Sequence, residues 1–158
     1  MKALTLGTVS KMYSFLPQNI QCNVSKEFEY VHEGMLVQML DILSRVRNVC
    51  AHNERLYDYK YRNGTIDNTY VHANLSIKQR NGHYIKGKND LFAVVIVLKY
   101  LLSNEDFDDF LSMLNKIVES LLQKNRRIER NQLLKYMGFP ENWMDIKKCS
   151  KILEQDKI

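Results

Sequence analysis

The sequence predicts an all-α domain, a helical bundle interrupted by one long irregular connection between its third and fourth helices. Three observations carry that expectation. Only six Gly and two Pro occur in 158 residues, too few for a turn-rich sheet sandwich. Apolar residues recur at three- and four-residue intervals along most of the chain, the period of a helix with one buried face. Between residues 62 and 90 that period vanishes.

The first helix is expected over residues 5–16, where Leu6, Val9, Met12, Tyr13 and Leu16 share helical spacing. Pro17 stops it, because the residue before a proline is forced out of helical geometry. A second amphipathic piece covers residues 18–30, with Ile20, Val24, Phe28 and Val31 near one face. The third helix is the clearest: Met35, Leu36, Met39, Leu40, Leu43, Val46 and Cys50 form a core stripe that continues through Val49 and weakens after His52.

In the connection, Asn63-Gly64, Asn81-Gly82 and Gly87 are turn signals, and Asn81-Gly82 suits a short hairpin. A connection that long inside one domain is often functional or partly mobile. The fourth helix is expected over residues 89–102. The fifth follows Ser103-Asn104, a capping pair, and carries Phe107, Phe110, Leu111, Leu114, Ile117, Val118 and Leu121. A shorter sixth helix over 129–137 ends at Gly138, with Pro140 beyond it, and the tail after Asn142 suits one more short helix. No repeat, low-complexity tract or boundary divides residues 1–158.

A hydrophobic content of 45% with 26% charged residues is globular composition and argues against disorder. The formal charge of +5 and pI near 9.0 favour a polyanionic partner. A basic solvated surface explains the same numbers. Cys22, Cys50 and Cys149 lack paired or metal-ligand spacing, and His32, His52, His72 and His83 complete no zinc signature. The expectation is therefore no metal, no cofactor, and reduced thiols in a cytoplasmic protein. Lys11 interrupts the opening apolar run, against a signal peptide. The run over 91–102 is broken by Lys99 and too short for a bilayer, against a membrane partner.

Chemistry concentrates where the third helix ends, in Arg47-Asn48-Val49-Cys50-Ala51-His52-Asn53-Glu54-Arg55-Leu56. At about 100° per residue Asn48 and His52 share a face, while Arg47 stands roughly 140° from His52. The long guanidinium arm, or unwinding after Ala51, could close that gap within one chain, or the two groups could meet only across a dimer. Metal-independent RNA cleavage requires a base for the 2′-hydroxyl proton and an acid for the leaving 5′-oxygen, and histidine serves either role. A guanidinium binds the phosphate and stabilises developing charge, and Asn48 can orient the ring or bond the phosphate. One chain offers one such histidine, so a complete acid–base pair points to two-fold pairing of third helices. Against this, eight arginines and four histidines make a chance pair easy, and a histidine near a helix C-terminus is commonly structural.

The same segment resembles the R-N-x-x-A-H-x-x-R-L block of the Abi-like abortive-infection proteins, their version of the HEPN superfamily motif. Leu4-Thr5-Leu6-Gly7-Thr8-Val9-Ser10-Lys11-Met12-Tyr13 upstream and Met137-Gly138-Phe139-Pro140-Glu141-Asn142-Trp143 near the end resemble two further blocks in the family's order. The resemblance implies a HEPN-like helical bundle, a ribonuclease toxin of phage defence, and a homodimer across the motif helix. It implies Arg47 and His52 as the catalytic pair, Asn48 as the accompanying polar residue, and an RNA-binding or structural role for Arg55. Asn53 and Tyr57 stand where many relatives have histidine and tryptophan. Relatives usually carry a long N-terminal half ahead of the opening block, so the chain reads as one domain, 1–158, without that half.

Lys78, Arg80, Lys86 and Lys88, with Tyr84 among them, suit an RNA backbone with a stacked base, or else a solubilising loop. Lys124, Arg126, Arg127 and Arg130 read as partners of a helix terminus, as do Glu105, Asp106, Asp108 and Asp109 at the opposite pole. Tyr57, Tyr59 and Tyr61 could stack on bases, but read better as packing residues of an amphipathic segment. The expected function is a metal-independent endoribonuclease leaving 2′,3′-cyclic phosphate ends. Its expected partners are RNA, a second copy of the chain, and a restraining antitoxin protein or RNA. The rival expectation is a catalytically silent HEPN-type module that binds RNA or protein.

Overall fold

A computed structural model describes residues 4–61, 65–67, 69–125 and 127–150. In chain order these form α1 (Leu6–Phe15), α2 (Gln18–Ser25), α3 (Glu33–Ala51), α4 (Tyr70–Asn74), β1 (Gln79–Arg80), β2 (His83–Tyr84), α5 (Leu91–Leu101), α6 (Asn104–Lys124) and α7 (Arg130–Met137), then a 3-10 turn over Trp143–Lys148. The fold is all-α, with one two-stranded hairpin.

Helix α5 is the centre. Phe92, Ala93, Val94, Val95, Ile96, Val97 and Tyr100 are all buried. A helix apolar on every side is stable only when neighbours cover it all round. Helix α3 packs on α5 and more extensively on α1, with α2 alongside. Phe139 lies 5.1 Å from both the Phe92 and Trp143 rings, closing the core from the C-terminal side.

Helix starts follow their caps. The Thr5 hydroxyl accepts from the Thr8 N–H, Ser103 from that of Asp106, and the Asp90 carboxylate from that of Ala93. Each satisfies a donor that has no partner within its helix. Helix α7 ends at Gly138, whose φ of 78° is left-handed, as the sequence predicts.

Three expectations need correction. Helix α2 stops at Ser25, not near Tyr30: the Ser25 hydroxyl bonds back to the Cys22 carbonyl, and the chain turns to Tyr30 at φ 62°. Its apolar face is not a core face, for Ile20 and Val24 are exposed while Val31 is buried. On α3 the fully covered strip is Leu36, Met39, Ile42 and Val49, and Cys50 is exposed. With α1 on one flank and α5 on the other, the buried strip is rotated toward Ile42. The connection also contains α4, whose five residues are too few to show a period; its hairpin turns at Asn81-Gly82. Arg62, Asn63-Gly64 and Arg126 lie outside the described residues.

The connection is tied down at both ends. The Tyr61 hydroxyl donates to the Asp90 carbonyl at 2.7 Å, and Ile66 N–H to the Lys88 carbonyl at 3.1 Å. Lys86 Nζ donates to the Phe139 carbonyl at 2.8 Å. Asp90 is 4% exposed, and both its oxygens accept from the Gly87 N–H at 3.1 Å. Burial raises its pKa to about 6, against the pull of those N–H donors and Lys60.

Because the folded pKa exceeds the ordinary 3.8, Asp90's contribution to stability is complete below that value and is lost as pH rises through about 6. Between pH 7 and pH 4 the wild type should gain roughly 2–3 kcal/mol relative to Asp90→Asn, which keeps an acceptor but cannot titrate. Urea midpoints of both proteins at the two pH values measure this; parallel shifts would refute it.

Candidate active site at the end of helix α3

Helix α3 closes on His52. Its N–H donates to the Asn48 carbonyl at 3.0 Å, Asn53 adopts φ 53°, and Glu54 N–H returns to the Val49 carbonyl at 3.0 Å. This left-handed turn ends the helix. Arg47, Asn48 and His52 are all exposed. The imidazole is not a core residue.

The two faces of α3 meet different surroundings. Asp41, Ser44 and Asn48 line a cleft of about 660 Å³ against Thr5, Thr8, Lys11 and Phe15 of the α1 region. The three-and-four spacing carries that stripe on to His52. Leu43, Val46 and Arg47 line an apolar groove of about 390 Å³ with Leu6, Leu91 and Phe110. Among the described residues Arg47 Nη1 donates one long bond, 3.4 Å, to Asn48 Oδ1. Among the described residues no hydrogen bond joins Arg47 to His52, in keeping with their roughly 140° separation about the helix.

Arg55 lies past the turn with its guanidinium forked onto Asp58, Nε to Oδ1 at 2.9 Å and Nη2 to Oδ2 at 2.7 Å, and over the Tyr57 ring at 5.4 Å. It borders a second apolar groove of about 810 Å³ with Ile117, Leu121 and Tyr136.

The hairpin splits the basic stretch in two. Lys78 and Arg80 are exposed, with no side-chain partner among the described residues. Lys86 holds the Phe139 carbonyl, and Lys88 lies 3.2 Å from Asp67, which also meets His83 Nδ1 at 2.8 Å. Burial by itself pushes the Asp67 carboxyl up; His83 and Lys88 together overcome it and hold the carboxyl below its ordinary value. Tyr84 stacks on the His72 ring at 4.4 Å, so that face is closed to a base. His72 is fully buried: Nδ1 accepts from the Thr69 N–H, and Nε2 sits 3.0 Å from the Gly87 carbonyl. That pairing fixes the neutral Nε2–H tautomer, and burial lowers the pKa. Of the tyrosine trio, Tyr61 is buried and Tyr57 exposed.

Among the described residues no group of three or more His, Cys, Asp or Glu is arranged to hold a metal ion, and no helix is long and apolar enough to cross a membrane.

Residues 1–58 match the family model of the Abi-like proteins. The matching segment holds α1, α2, α3 and the turn that carries Arg55 and Asp58, so Arg47 and His52 both lie inside it. No curated protein and no solved structure matches the chain.

Inside that segment Ser44, Thr8, Lys11 and Phe15 also line the cleft between α1 and α3. The signal was present, since Ser44, Asn48 and His52 follow i, i+4 spacing. What lies opposite them on α1 is not legible in the sequence, because Thr8, Lys11 and Phe15 are more than 25 residues away from Asp41, Ser44 and Asn48.

Proposed function

We propose that the chain is a metal-independent endoribonuclease of the HEPN type, a cytoplasmic toxin-like effector of abortive infection against phage. The observation that carries this reading is the exposed Arg47-Asn48…His52 group at the end of α3, inside the segment that matches the Abi-like family. An exposed imidazole that no other side chain among the described residues engages is available to move a proton between solvent and substrate.

In the proposed reaction His52 removes the 2′-hydroxyl proton, and the 2′-oxygen attacks the adjacent phosphorus. The bond from phosphorus to the 5′-oxygen breaks, and that oxygen leaves with a proton from a second imidazole. The products are a 2′,3′-cyclic phosphate and a 5′-hydroxyl. Arg47 neutralises charge on the non-bridging oxygens and Asn48 bonds the phosphate. Because one chain holds its Arg47 and His52 on different sides of α3, two chains related by a two-fold axis bring the groups together. Arg55, Lys78 and Arg80 attract the RNA backbone, while Lys86 and Lys88 secure the hairpin that presents it. A toxin of this kind needs restraint, supplied by an antitoxin protein or RNA.

The separation of Arg47 from His52 within one chain favours a second reading, a silent HEPN-type module that binds RNA or protein. The purified protein, incubated with mixed RNA and excess EDTA, is expected to cut it and leave cyclic phosphate ends. Binding without cutting supports the silent module, and cutting that requires Mg²⁺ overturns the mechanism.

A further inference from the structure

The apolar grooves beside Arg47 and Arg55 are one trough, because Leu56, Leu91 and Leu114 line both. Helix α6 forms one wall along its length. Phe110, Leu114, Ile117 and Leu121 follow one another at intervals of four, three and four residues, and Asn125 closes the row. That is the spacing by which one helix seats another, and from Phe110 to Asn125 it runs about 22 Å. The neighbouring stripe of α6, Phe107, Leu111 and Val118, already serves the core. The outer row has nothing over it: Ile117 is 52% exposed, and Leu121 is exposed with Tyr136 on the facing wall from α7. A lone apolar residue on a surface needs no explanation, whereas a contiguous row marks an interaction site.

We propose that this trough seats an amphipathic helix with acidic flanks, supplied by another protein, and that the seated helix restrains the ribonuclease by covering Arg47. The restraint rests on the ribonuclease reading; the docking site does not. Shape selects a helix, since an apolar floor four turns long is filled by apolar residues at i, i+3, i+4 and i+7 of one. A nucleic acid would leave that floor uncovered, because its recognition runs through phosphates and base edges.

Charge selects the flanks. The lining carries Arg47 in the groove that ends at Leu114, and Arg55 and Arg127 in the other, against one carboxylate, Asp58. The fork from Arg55 already neutralises Asp58. Arg47 and Arg127 have no ion-pair partner among the described residues. Carboxylates along the edges of the incoming helix would pair with them. A second copy meeting the trough by two-fold symmetry would set the same surplus of arginine against itself, so the face is not self-complementary. With Arg47 covered, its guanidinium can reach neither the phosphate nor the histidine of a second chain.

The test uses the full chain and a display library of helices of about 16 residues, enough for the four turns of the trough. Seam positions are drawn from Leu, Ile, Met and Phe, and flanking positions from Glu, Gln and Lys. Selected helices should favour glutamate over lysine at the flanks. With these as synthetic peptides, Ile117→Ser should raise Kd about tenfold, and Arg127→Glu should weaken binding and flatten its salt dependence. Both side chains are exposed, so melting temperatures should stay at the wild-type value. Saturating peptide should lower cleavage of mixed RNA about a hundredfold, as loss of Arg47 would. No enriched helix, flanks enriched in lysine, or affinities that neither substitution changes would overturn the docking site and leave the ribonuclease reading standing. Peptides that depend on Ile117 and Arg127 but leave cleavage at full rate overturn the restraint. A free chain that cuts no RNA overturns the ribonuclease reading and the restraint together, while the affinities still decide the docking site. Conversion of a wild-type dimer to a monomer by Ile117→Ser assigns the trough to a second copy and overturns the proposal.

Discussion

Replacing His52 by alanine is expected to lower RNA cleavage by roughly 10²–10⁴-fold, the usual contribution of a positioned general acid or base. Arg47→Ala should cost on the order of 10²–10³-fold through lost stabilisation of phosphate charge. Neither should disturb the fold. Both side chains are exposed, and no hydrogen bond from the His52 ring is among those of the described residues. Surface changes of this kind usually stay within about 0.5 kcal/mol. Far-UV spectra and melting midpoints matching the wild type therefore accompany the loss of activity; cleavage that survives His52→Ala sinks the mechanism.

Two-fold pairing adds a sharper outcome. If a working site needs an imidazole from each protomer, a wild-type chain paired with a His52→Ala chain is silent. Mixing wild type with a tenfold excess of the variant under exchanging conditions should then reduce activity per wild-type chain roughly tenfold. Activity that follows the amount of wild-type chain, regardless of the excess, would mean each chain works alone.

The helices were legible because their signals are local. Thr5, Ser103 and Gly138 mark their ends by side-chain or backbone chemistry within one turn, and α5 declares itself by an unbroken apolar run. The error at α2 is of the opposite kind. Its apolar spacing was real, but Ile20 and Val24 face solvent, and spacing does not say whether a neighbour arrives to cover a face. The core face of α3 was misplaced toward Cys50 for the same reason, since two flanking helices, distant in sequence, decide which strip is sealed.

In the candidate site, the roughly 140° between Arg47 and His52 is a consequence of ideal helix geometry alone. The commitments of Lys86 to Phe139, of Lys88 to Asp67 and of Tyr84 to His72 are not, because each depends on contacts across 12 to 53 residues.

Gly138→Ala should be among the most damaging single substitutions outside the motif. Gly138 has φ 78°, and an added Cβ would fall 2.3 Å from both Cγ and Oδ2 of Asp90. That carboxylate cannot step aside cheaply, since it accepts from Gly87 and Ala93 N–H groups and caps α5, the helix at the centre of the core. Left-handed geometry costs a non-glycine residue about 1 kcal/mol, a broken cap about another, and unsatisfied buried polar groups about 1–3 kcal/mol. A total near 4 kcal/mol is a large share of a domain's usual stability of about 5–15 kcal/mol.

Gly82→Ala is the internal control. Gly82 has a similar φ of 75° with nothing within 4 Å of an added Cβ, so only the backbone cost of about 1 kcal/mol applies. The expected urea midpoints rank wild type, then Gly82→Ala, then Gly138→Ala far below. In an Asp90→Ala background the Gly138 substitution should lose only part of its excess cost, because the contacts with Cγ and Oδ2 and the cap are gone while the Cβ at position 90 still lies 2.6 Å from the added Cβ. Equal midpoints for the two glycine variants would show that backbone geometry alone, and not the contact between the C-terminal segment and the start of α5, governs Gly138.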